Sequence, residues 1–264
     1  MIVLLWLGTA VLGPTLVRND PNDQELIDAL QPPSFDVVND EAHLLGTDQL
    51  GRDILSRIVY GAGTSLQVGA IVVAIGAILG SAIGLIAAEW GGMVDEVLMR
   101  LADVQLATPF LLLAITMLAL FGGSMVNMVL VLTLSTWVIY ARVVRSELLH
   151  IREQEFVLAA RALGAPRPRV VLHHLLPNAL GLIIVLASLE LSNIILLEAA
   201  LSFLGAGLQP PLISLGAMVS GGRDYLAQAW WVATIPGAAL AVMVLGANFV
   251  GDWLRDLLDP RRQL

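Results

Sequence analysis

The sequence contains neither cysteine nor lysine. The first absence excludes disulfides, thiolate metal sites and thiol nucleophiles. The second excludes a phosphate-binding loop of the G-x-x-x-x-G-K-[ST] type, whose lysine reaches the nucleotide phosphates. Charge is scarce too: only 14% of residues are charged, and a net charge of −8 offers no basic surface to nucleic acid. What fills the chain is apolar, with 57% hydrophobic residues and a mean hydropathy of +0.81 over 264 residues. That is more than a soluble domain of ordinary composition carries. Several uncharged runs reach the roughly 20 residues that a helix needs to cross hydrocarbon. The composition predicts an all-α, polytopic protein of the lipid bilayer.

Six spans are predicted in one transmembrane domain over residues 1–264. Met1–Val17 is uncharged and lacks the basic n-region of a cleaved signal peptide, so it reads as a retained first span at 1–17. An outer loop over 18–64 follows; its stretch from Arg18 to Arg57 holds nine acidic residues against three arginines. Such a loop is solvated, or it attracts cationic peptides or a basic partner surface. Within it Leu50, Ile54 and Ile58 recur at helical spacing, as in a short interfacial helix. Further spans are expected at 66–87, 97–120 and 125–145, the last two parted by the "FGGS" of Phe121–Ser124. A polar segment at 150–177 precedes span five at 179–204, an outer loop at 205–224 and span six at 226–251.

On span two, Gly76, Gly80 and Gly84 recur every fourth residue. This either bares one helix face for close approach of a neighbour or reflects the ordinary abundance of glycine in membrane helices. Span five carries Glu190 and Glu198. A charge in hydrocarbon is costly, so such residues face a cavity or a partner. Glu190 lies about 18 Å along the helix from Asn178, near mid-membrane. Glu190, Asn193 and Glu198 are the candidates for a translocation pathway, with helix packing as the other role for Glu198.

Six spans place both termini on one side. Ten arginines lie on that side (Arg100, Arg142, Arg145, Arg152, Arg161, Arg167, Arg169, Arg255, Arg261 and Arg262). Four lie opposite, so the termini and the 150–177 segment are expected in the cytoplasm.

That segment includes "AARALGAPRPRVVLHHLLPN", Ala159–Asn178. Phe156, Ala159, Ala160 and Leu163 fall at i, i+3, i+4 and i+7, one apolar face on a helix outside the lipid. Gly164 suits the C-cap, Pro166 and Pro168 discourage continuation, and a second short helix is expected from Arg169 to Leu176 before Pro177. The pattern fits a docking element, and also an interfacial loop whose arginines fix topology.

This stretch resembles the EAA loop of ATP-binding-cassette importer permeases, E-A-A-x3-G-x9-I-x-L-P. Ala159, Ala160, Gly164, Leu176 and Pro177 match, while Leu158 and His174 stand where the family has glutamate and isoleucine. The blocks "HLLGTDQLGRDILSRIVYGAGTSLQVG", "EAALSFLGAGLQPP" and "NFVGDWLRDLLDPR" look like the C-type permease subunit of dipeptide, oligopeptide and nickel importers. The resemblance weakens at "LISLG", Leu212–Gly216, where the family often has proline and tryptophan, and at the N-terminus, where relatives usually have a cytoplasmic tail.

The resemblance implies the type I importer permease fold in a bacterial inner membrane. It implies a second, B-type permease subunit, two ATPase subunits that carry ATP and Mg²⁺, and an external substrate-binding protein. No cofactor or metal is expected on this chain, which is not itself an enzyme. The ATPase-coupling residues would be Phe156, Ala159, Ala160, Arg161, Leu163, Gly164, Arg169, Leu176 and Pro177.

Peptides are the favoured substrate. Nickel prefers imidazole and sulfur donors, and His43 is the one histidine expected outside, with His150, His173 and His174 cytoplasmic. A nickel, metal-chelate or heme importer is the alternative. An ion-coupled secondary transporter would show internal repeats, and an intramembrane hydrolase would need a nucleophile and base within the spans, where no histidine, cysteine or lysine occurs.

Overall fold

Asp53 fixes the start of the longest element. Its carboxylate accepts from the Ser56 backbone N–H at 2.7 Å and the Ser56 hydroxyl at 2.6 Å, which satisfies a first-turn donor that the helix itself leaves open. From there α1 (Ile54–Trp90) runs unbroken for 37 residues, about 55 Å at helical rise. The sequence predicts an interfacial helix and then a separate span at 66–87. The structure merges them, because no proline between Arg57 and Leu66 interrupts the backbone ladder. The computed structural model describes residues 17, 20–34 and 43–258. The predicted first span therefore lies, apart from Val17, outside the described residues, as do Arg18, Arg261 and Arg262.

Gly91 and Gly92, at φ +58° and +52°, turn the chain from α1 into α2 (Gly92–Ala107). Next comes α3 (Phe110–Phe121), bent 83° away from α2. The single span expected at 97–120 is thus two helices, and Pro109 is the cause. A residue before proline is driven out of helical backbone, and Thr108 is extended at φ −86°, ψ 127°. After Gly122, at φ +88°, Ser124 caps α4 (Met125–Arg152) by accepting from the Asn127 N–H at 3.2 Å. This helix runs about two turns past the predicted boundary at 145.

The segment beyond α4 forms α5 (Glu155–Ala162) and α6 (Arg167–Val170). A π turn at Val171–Leu175 leads directly into α7 (Leu176–Phe203). Here Pro177 does not separate a short helix from span five. Proline in a helix clashes with the carbonyl four residues back and removes a donor. The wider turn just before it, in which the Leu176 N–H reaches the Val171 carbonyl, changes that register. Two helices complete the fold, α8 (Leu215–Gly222) and α9 (Trp231–Leu258).

Among the described residues, four helices are long and apolar enough to cross a membrane: α1, α4, the continuous Arg167–Phe203 helix and α9. The bent α2–α3 pair makes a fifth if counted as one span. The bundle has two distinct poles. At one, Ile54 and Ile58 pack with Ile213, Leu215, Trp231 and Val232, bringing together the loops predicted at 18–64 and 205–224. At the other, Ala88, Val144, Leu148 and Ile151 pack with Val157, Val170, Leu175 and Ala179, so the 150–177 segment sits on the opposite ends of α1 and α4.

Candidate functional site: an exposed handle and the helix interior behind it

Val157 anchors α5. It is fully buried in the same cluster as Leu148 and Ile151 of α4 and Val170 and Leu175 of the next elements. The face singled out by periodicity points the other way. Phe156, Ala159 and Leu163 are exposed, Ala160 is half-buried, and Leu163 reaches 89% exposure. Periodicity thus finds the free face and misses the anchor, because one buried valine on an eight-residue helix leaves no repeat to detect.

The end of α5 is a Schellman cap. The Ala165 N–H bonds to the Ala160 carbonyl at 3.1 Å and the Gly164 N–H to the Arg161 carbonyl at 2.9 Å. Gly164 adopts φ +82°, and no atom lies within 4 Å of where a Cβ would stand. A substitution there meets backbone strain, about 1–2 kcal/mol, without a collision. The Phe156 ring lies 6.1 Å from the His174 ring and tilts 56° to it, which ties α5 to the π turn. Arg161 is half-buried and Arg169 exposed, and neither has an ion pair among the described residues. Leu176 is half-buried and Pro177 exposed. Below the handle, the Arg152 guanidinium donates to the Ala88 carbonyl at 3.1 Å, joining the ends of α4 and α1.

Three side-chain bridges, invisible at sequence separations of 32 to 50 residues, fasten α2 along α4. Arg145 pairs with Asp95, Arg142 with Asp103, and the Trp137 indole donates to Gln105 at 2.9 Å. Gly76, Gly80 and Gly84 of α1 all face α4. An added Cβ would lie 2.7 Å from Thr136 Cγ2, 2.3 Å from the Trp137 carbonyl oxygen and 2.5 Å from the Ala141 carbonyl oxygen respectively. Such distances admit only hydrogen at those positions.

Glu198 is sealed from solvent at 0% exposure. Its carboxyl accepts from Ser65 Oγ of α1 at 2.8 Å and Ser202 Oγ of α7 at 2.7 Å. It therefore ties α7 to α1. Glu198→Ala would strand these hydroxyls, at about 1–3 kcal/mol for each buried group left unpaired. Melting of the detergent-purified protein should fall accordingly, with Glu198→Gln losing less. Glu198→Ala melting with the wild type would remove this brace.

Glu190 is 7% exposed and accepts from Asn193 Nδ2 at 3.1 Å, while Asn193 itself is exposed. Tyr140 of α4 is fully buried, and its hydroxyl has no hydrogen-bond partner among the described residues. Nothing in the spacing of the sequence marks this tyrosine.

Residues 80–264 match the family described as binding-protein-dependent transport system inner membrane component, and the chain belongs to that family. It is a permease subunit. Among its relatives, the dipeptide transport system permease protein DppC of Alkalihalophilus pseudofirmus is 40% identical over 99% of this chain and 84% of its own length. The di/tripeptide permease DppC of Pseudomonas aeruginosa is 39% identical over 99% and 86%. The oligopeptide permease OppC of Bacillus subtilis is 36% identical over 99% and 84%. In fold, the chain resembles the inward-facing MetNI methionine ABC transporter, with a TM-score of 0.63 at 21% identity over 77% of this chain and 96% of that one. It also resembles an amino acid ABC transporter solved with histidines, with a TM-score of 0.60 at 19% identity over 76% and 93%.

Proposed function

We propose that this chain forms half of the translocation pathway of an importer for di- and oligopeptides, paired with a B-type permease subunit. Two ATPase subunits, carrying ATP and Mg²⁺, grip the α5 handle from the cytoplasm, and an external binding protein delivers the substrate. Both termini then lie in the cytoplasm. The single observation that supports this reading best is the α5 handle itself. It is rooted in the core through Val157, yet presents Phe156, Ala159, Leu163 and Gly164 to the outside. A leucine held at 89% exposure on a rigidly capped turn gains nothing from this chain alone.

Closure of the ATPase dimer would pull on α5 and on the helix from Arg167 onward, which runs without a break into α7. ATP favours one form of the pathway only through contacts that differ between the two forms. Arg161 and Arg169 supply charge for those contacts. Asn193 faces the pathway with Glu190 behind it, and Glu198 holds the packing.

The peptide relatives supply the substrate class. Purification of the chain with its natural partners, followed by mass spectrometry of the small molecule retained, should return peptides; a metal complex instead would overturn the assignment. Glu190→Gln should slow uptake of cationic peptides several-fold in reconstituted vesicles. Uptake at the wild-type rate would take Glu190 out of the pathway.

A further inference from the structure

At the pole opposite the handle, a cavity of about 180 Å³ opens between the start of α1, the loop before α8 and α8 itself. Its walls include Leu208, Leu212, Ile213 and Met218, and its charged groups are Asp48, Arg52 and Arg57. Asp48 is heavily committed. One carboxylate oxygen accepts from the Leu50 and Arg52 backbone N–H groups at 2.8 and 3.1 Å, and the other from Arg52 Nε at 2.7 Å.

Arg57 is left with less. Its Nη1 donates to the Pro21 carbonyl at 2.9 Å. Its Nε stands 3.6 Å from Asp48, close enough for attraction but too far for a hydrogen bond, and that buried donor has no acceptor among the described residues. Asp53, the next carboxylate along, is occupied by Ser56 and His43. Two guanidiniums, 16% and 11% exposed, thus share one carboxylate in a chamber whose other walls are mostly apolar, with Gln49 and Ser214 the uncharged polar side chains among them.

Two guanidiniums against one carboxylate leave a net positive charge in the cavity wall, which a further anion offsets. The planar guanidinium matches a carboxylate best. The cavity is roomy enough for one side chain. We propose that this cavity receives an aspartate or glutamate side chain of the external binding protein when that protein docks. The inference rests on the reading above that the 18–64 and 205–224 loops face outward. Complementary charge speeds such docking and fixes its register.

The test uses the full complex in nanodiscs, with binding-protein affinity measured at stepped salt concentrations. Arg57→Gln should weaken docking at least tenfold and flatten its salt dependence. Leu212→Trp, which fills the cavity without altering charge, should weaken docking as well. Neutralising the acidic residues of the binding protein one at a time should find one whose loss adds nothing to Arg57→Gln. Wild-type affinity in both variants overturns the proposal. So does a lower melting temperature with docking unchanged, which would make Arg57 an internal brace. A wild-type complex that never docks a binding protein would instead bring down the proposed function, and this inference with it.

Discussion

Leu163→Asp is expected to reduce peptide uptake at least tenfold while the protein keeps its membrane level and melting temperature. Leu163 is 89% exposed, and surface substitutions away from special features usually move stability by no more than about 0.5 kcal/mol. Any large effect must therefore come from a partner. Burying a leucine stabilises an interface by about 1.5–3 kcal/mol, and every 1.4 kcal/mol is a factor of about ten in affinity. An aspartate forfeits that gain and adds the cost of desolvating a carboxylate. Uptake and co-purification of the ATPase should fall together. Normal uptake would remove α5 as the point of grip, and an equal fall in melting temperature would recast it as a structural element.

Gly80→Leu acts on the opposite kind of surface. The added Cβ alone would stand 2.3 Å from the Trp137 carbonyl oxygen and 2.6 Å from Tyr140 Cβ, and a carbonyl within a helix cannot step aside. The two helices must part along their seam, taking the Gly76 and Gly84 contacts with them. Overpacking costs about 1–3 kcal/mol even where side chains can adjust, so the protein should fail to accumulate in the membrane. Gly181→Leu is the matched control, since no neighbour lies within 4 Å of its Cβ position. It should accumulate normally. Equal loss in both variants would mean that the membrane helices tolerate no added bulk anywhere, and the seam would lose its special standing.

Much of this architecture can be read from the residues alone because lipid imposes simple rules. Among the described residues, the uncharged runs, the "FGGS" break and the Gly164 turn each carry a local signal, and each falls at a helix or a helix end. Of the four residues that the spacing picks out, Phe156, Ala159 and Leu163 are exposed and Ala160 is half-buried, while Leu158 and Ala162, outside the set, are exposed as well. The errors have physical causes. Pro109 was a readable break, but it sits inside an apolar run whose total length looks like one span. Pro177 was a readable stop that the π turn cancels, and turn widening leaves no mark in composition. The pairs Arg145–Asp95 and Arg142–Asp103 and the shared Asp48 depend on which elements meet in space. Single-chain patterns do not contain that. The clasp of two hydroxyls on Glu198 belongs to the same class: the sequence shows a glutamate in a span, and only packing decides that it binds helices together.

The unbroken length of α1 bears on how the two poles influence each other. A rod capped at Asp53 and tethered through Ala88 to Arg152 has no break along its course, so tilting its Asp53 tip would displace its Trp90 tip in the opposite sense about the glycine seam. On the function proposed above, arrival of the binding protein at one tip and closure of the ATPases at the other would bear on one seesaw.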